Sequence, residues 1–83
     1  MNNKIYIVET ASYNAESAEW DNETSRTYFA SQKRAKEFCE SWMANYKKDC
    51  PDGIIRNPKD GLYHFIFDGG YIEEYQYYSA ELH

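Results

Sequence analysis

His64 and the adjacent pair Glu73-Glu74 are the side chains here best suited to moving a proton, and Cys39 is the best placed to act as a nucleophile. Each has a plainer reading. His64 alternates with Leu62 and Ile66 in an apolar run, the pattern of a histidine on one face of a strand. Glu73 and Glu74 are neighbours in a strand-like segment, so they point to opposite faces and cannot share a proton. Cys39 falls on the apolar stripe of a helix, where a thiol packs as a small hydrophobe rather than an activated nucleophile. Gly69-Gly70 is a bare pair without the spacing of a phosphate-binding loop. Cys39, Cys50, His64 and His83 lack zinc-ligand spacing. The expectation is a protein with no catalytic residue, no cofactor and no metal.

Binding chemistry is better represented. Residues 9–24 hold Glu9, Glu16, Glu19, Asp21, Glu23 and Trp20, with no lysine or arginine. A charge run is most often a solvated loop. A tryptophan inside one either staples it to the core or stands out as an anchor, a role in which tryptophan and tyrosine excel. The segment "YIEEYQYY", residues 71–78, adds Glu73, Glu74, Tyr75 and Tyr77. The residues expected to bind a partner are therefore Glu16, Glu19, Trp20, Asp21, Glu23, Glu73, Glu74, Tyr75 and Tyr77. Lys33, Arg34 and Lys36 form a basic group at a helix start, where they oppose the helix dipole. They offer phosphate contacts, but the acidic ends of the chain repel a nucleic-acid backbone, so direct nucleic-acid binding is disfavoured.

These side chains need elements to hold them. "KIYIVET", residues 4–10, is apolar on both faces and reads as an inner strand. Residues 11–24 lack a sustained period and read as a long loop. "SRTYFA", residues 25–30, is a second strand. Ser31 is placed to cap a helix over residues 32–48, in which Ala35, Phe38, Cys39, Trp42, Met43 and Tyr46 recur at helical spacing. "DCPDG" ends it. Ile54 and Ile55 read as an apolar plug in a loop that closes at "NPKDG". "LYHFIF", residues 62–67, is a third strand, and "DGG" a hairpin turn into a returning strand over 71–79. Tyr71, Tyr75, Tyr78 and Leu82 also fall at helical spacing, which keeps a helix there as the alternative.

The whole is one domain over residues 1–83: α+β, an antiparallel sheet of about four strands with one amphipathic helix across a face. Ala35, Phe38, Trp42 and Tyr46 are expected to meet Ile5, Ile7, Phe29, Phe65 and Phe67. Fifteen aromatic residues supply a core that 83 residues could not otherwise build. The net charge of −5 is unevenly spread, with two acidic ends around a basic middle and no lysine or arginine after Lys59. No run approaches the roughly 20 apolar residues of a membrane span, and the first residues lack a signal-peptide apolar stretch, so a cytoplasmic location is expected. Cys39 and Cys50 are then expected as reduced thiols, with a bridge between them left open.

"KIYIVETASYN" with "EW" at 19–20 resembles the opening of ArdA-type antirestriction proteins, through Ile5, Tyr6, Tyr13, Asn14 and Trp20. Those proteins are acidic, imitate the DNA backbone and block restriction enzymes. The basic helix departs from that pattern. Size, element order and acidic ends are also similar to small phage anti-defence proteins, anti-CRISPRs among them. The resemblance implies a non-enzymatic inhibitor, acting in the cytoplasm of a host cell on a nuclease or another defence protein that handles nucleic acid. The alternative is an assembly protein that self-associates, as a homodimer for instance, through a tyrosine-rich edge strand. The second alternative is a nucleic-acid binder using the basic helix start.

Overall fold

A computed structural model describes residues 4–81, and residues 22–24 by their backbone alone. The elements run β1 (Lys4–Asn14), β2 (Glu19–Phe29), α1 (Gln32–Asp49), β3 (Ile54–Lys59), β4 (Leu62–Ile66) and β5 (Ile72–Glu81). All strand pairings are antiparallel, and the five strands form one sheet in the order β2-β1-β5-β4-β3. The α+β class and the single helix agree with the sequence; the sheet is larger than expected.

Two segments account for the difference. Residues 11–24 are not a loop: β1 continues to Asn14, a turn follows, and β2 begins at Glu19, in register with Asn14. Ala18 takes φ 56° in that turn, and Asn14 Oδ1 accepts the amide hydrogens of Glu16 and Ser17. Short polar side chains that bond to nearby backbone stabilise such turns. Ile54–Lys59, expected as loop, pairs with β4 as an edge strand. Pro58 suits an edge because it has no amide hydrogen to offer. Gly61, at φ 82°, turns the chain into β4.

α1 starts where expected. Ser31 is extended and its hydroxyl accepts the Arg34 amide. At the other end Lys47 donates to the carbonyls of Pro51 and Gly53, holding the reversal that launches β3. The helix buries Ala35, Cys39 and Met43. Phe38 and Tyr46 pack beside them against Val8, Tyr63, Phe65 and Tyr75. Phe29 and Phe67 join this core as expected. Ile5 and Ile7 do not. In β1 it is Tyr6 and Val8 that face the helix, because Val8 lies opposite the inward Tyr77. A strand that is apolar on both sides carries no mark of which side is which, and a one-residue slip exchanges them.

Candidate functional site

α1 covers one face of the sheet, and no element among the described residues covers the other. Alternation along each strand allots side chains to the two faces. Ring contacts confirm the allotment: Tyr46 and Phe38 touch Tyr75 on the helix side, while Tyr13, Trp20 and His64 meet on the uncovered side.

Reading across the register of the uncovered side gives an apolar row that crosses all five strands: Trp20, Tyr13, Ile72, Ile66, Ile54. With four gaps of about 4.8 Å the row is about 19 Å long. Next to it lies a polar band. Glu74 accepts from His64 across the strand pair at 2.8 Å, and Arg56 stands opposite His64 in β3. Glu9 takes the Arg26 guanidinium at 2.8 Å and the Tyr78 hydroxyl at 2.6 Å. That carboxylate keeps Arg26 firmly charged, and its hydrogen bond pushes the Tyr78 phenol up from its ordinary value. Beyond the band come Tyr28, Ile7 and Tyr78, again in register. Ile7, between the two tyrosines in the register, is only 9% exposed.

Trp20 is the residue on which the sequence expectation turned. It does both things a tryptophan there could do. Its ring lies 5.3 Å from Tyr13 and 6.2 Å from His64. His64 belongs to β4, so the indole lies across the sheet rather than standing off it. It is nevertheless 42% exposed. Glu16, Glu19 and Asp21 are exposed at the same end of the β1–β2 hairpin, and alternation turns Glu19 and Asp21 to the face opposite the indole. Interaction with Glu16 pushes the Tyr71 phenol up from its ordinary value. The side chain of Glu23 lies outside the described residues.

The C-terminal candidates divide. Glu74 is half-buried on the uncovered face with His64. Glu73 points to the helix side and accepts the Ser12 hydroxyl at 2.9 Å. Tyr75 is 7% exposed and sits in the core, where its hydroxyl meets that of Tyr46 at 3.0 Å. Tyr77 packs against the core beside Tyr63. Tyr75 therefore has almost no surface to present to a partner, and Tyr77 little. The expected division of β5 into two faces is correct, but the tyrosine-rich face looks inward. β5 is also an interior strand between β1 and β4, not an edge. The exposed aromatic residues besides Trp20 are Tyr28, Trp42, Tyr71 and Tyr78; of these Tyr28 and Tyr78 share the uncovered face with Trp20 and half-buried Tyr13. Alternation continued past Thr10 would have found Tyr13; Ile54 and Ile66 join the row only through strand pairing.

Lys33, Arg34 and Lys36 are exposed at the opposite end of the molecule from the hairpin turn, beside Lys4 and Ser79. They line two shallow hollows of about 420 and 430 Å³, which Glu37 and Asp60 also enter. The acids of the hairpin are too far along the sheet to neutralise them. The Lys33, Arg34 and Lys36 group and the acids of the hairpin turn thus lie at opposite ends of the sheet.

Among the described residues no group of three or more His, Cys, Asp or Glu could hold a metal ion. Cys39 and Cys50 are free thiols. Burial pushes the Cys39 thiol up to about 11, far from the low values of reactive cysteines. No helix among the described residues is long and apolar enough to cross a membrane. No known protein family, curated protein or solved structure matches the chain.

Proposed function

We propose that this chain is a non-enzymatic binding protein whose β1–β2 hairpin docks on a basic surface of a protein that handles nucleic acid. Its concrete form is an inhibitor from a phage or mobile element, directed at a defence nuclease in the host cytoplasm. The observation that carries the reading is Trp20, 42% exposed at the head of an apolar row, on a hairpin whose end also carries the exposed carboxylates of Glu16, Glu19 and Asp21. Tryptophan is among the residues from which interfaces draw most of their energy. The acids would steer the encounter, and the indole would hold the complex. The resemblance of residues 4–20 to antirestriction proteins supports the kind of target.

Capture of the partner from the native host, followed by binding kinetics, tests this. Glu19→Lys with Asp21→Lys is expected to slow association by about tenfold or more at low salt and to flatten its salt dependence. Trp20→Ala should instead speed dissociation. Unchanged kinetics in both variants would remove the hairpin from the interface.

A further inference from the structure

We infer that the uncovered sheet face is a self-association surface, closed in solution by the same face of a second copy of this chain. Two features select that occupant. The first is charge. The charged groups of the face balance: Glu9 holds Arg26, and Glu74, hydrogen-bonded to His64, has its counterpart in Arg56 one strand further on. A nucleic-acid strand needs a positive surface, and a basic protein needs a negative one. This face is balanced, so it neither attracts those ligands nor repels its own copy, although the chain as a whole carries −5. Lys33, Arg34 and Lys36 lie off the face at the helix start, and Glu16 lies off it in the hairpin turn.

The second feature is area. From Ile5 to Tyr13 the face runs about 27 Å along β1, and it is about 19 Å wide. Roughly 500 Å² per copy, or about 1,000 Å² for the pair, is the lower limit of specific interfaces. That extent suits a dimer which dissociates on dilution. Two such sheets pack face to face about 10 Å apart with their strands about 30° from parallel. Related by a twofold axis, each copy would present its Tyr13, Ile72, Ile66 and Ile54 to the same patch of the other. Tyr28 and Tyr78 would place apolar rings inside and hydroxyls at the rim. Glu16 and Glu19, at the hairpin end, would stay outside the contact.

Two neighbouring residues of β3 provide the test. Ile54 is 50% exposed on the uncovered face, whereas Ile55 is 44% exposed on the helix side, beside Met43 and Ala44. Both can become lysine without unfolding the chain, which circular dichroism would verify. Light scattering and sedimentation equilibrium are run from low micromolar to near-millimolar protein. The wild-type mass should climb from 9.9 kDa toward twice that value. Ile54→Lys should weaken self-association at least about tenfold, since it places an unpaired charge in the contact. Ile55→Lys should dimerise like wild type. A mass of 9.9 kDa at every concentration overturns the inference. So does a dimer that Ile55→Lys disrupts and Ile54→Lys spares. Hydrogen exchange that protects β1 and β4 only on adding a single-stranded oligonucleotide gives the face to nucleic acid and overturns it as well. Ile54 stands at the far end of the row from Trp20, so these outcomes are independent of whether the hairpin docks on a partner.

Discussion

Replacing Tyr75 separates a core role from a binding role at a residue whose sequence context pointed to binding. Its ring packs under α1 against Phe38, Trp42 and Tyr46, and its hydroxyl meets that of Tyr46 at 3.0 Å. Tyr75→Phe keeps the ring and removes this one hydrogen bond. A neutral bond of that kind contributes about 0.5–1.5 kcal/mol net. In a domain of this size about 1 kcal/mol lowers Tm by about 4–8 °C. Tyr46→Phe should cost a similar amount, because it leaves the Tyr75 hydroxyl with neither partner nor solvent. Both losses remove the same bond, so the double variant should fall short of their sum by about 0.5–1 kcal/mol. Tyr75→Ala would forfeit about 3–5 kcal/mol of packing. Against a total near 4–12 kcal/mol for a chain of this length, that would leave much of it unfolded. Thermal unfolding by circular dichroism and urea titration both read these values. A Tyr75→Phe variant that melts within a degree of wild type yet loses a partner would refute the placement of Tyr75 in the core.

Gly53→Ala should destabilise by about 1–3 kcal/mol, because the added methyl would overlap the ring of fully buried Phe65, itself wedged against Tyr46 and Phe67; trimming the ring with Phe65→Leu should make the glycine change milder, and urea midpoints of the single and double variants check it. Alkaline pH should weaken the fold. Burial, helped by Glu40, pushes the Tyr63 phenol up to about 12, and burial raises Tyr75 as well. An unfolded tyrosine loses its proton near pH 10. Above that the unfolded chain releases protons that the folded one retains, so stability is full below pH 10 and falls between there and about 12. The slope is up to about 1.4 kcal/mol per pH unit for each such tyrosine. Urea midpoints across this range should drop less steeply in Tyr63→Phe, and identical slopes in the two proteins would refute the assignment.

The two faces of the sheet do different work because of small choices of register. Val8 and Tyr75 turn inward, and Ile7 and Glu74 outward, although nothing in their local sequence ranks them in that order. The shift of register between Thr10 and Ser12 interrupts the pairing of β1 with β2. Bulges bend and twist a strand locally. Trp20 lies just beyond this one, laid back over the sheet towards His64. An acidic segment that looked like a loop becomes a strand pair that carries its indole on the uncovered face.

Local pattern was enough for the elements that local physics makes. The helix period, the Ser31 cap, the "DGG" turn and the two-face split of β5 could all be read from the chain, because each depends on residues within one or two turns of one another. What the linear order left undecided was which face of each strand meets the helix, that β5 is an inner strand, and that Ile54–Lys59 pairs at all. Those outcomes rest on partners far away in sequence, such as Val8 with Tyr77 and Tyr13 with Ile72. In strands apolar on both sides, either face can be buried at similar cost, so only the assembled sheet and its single helix choose which aromatic residues are left in water.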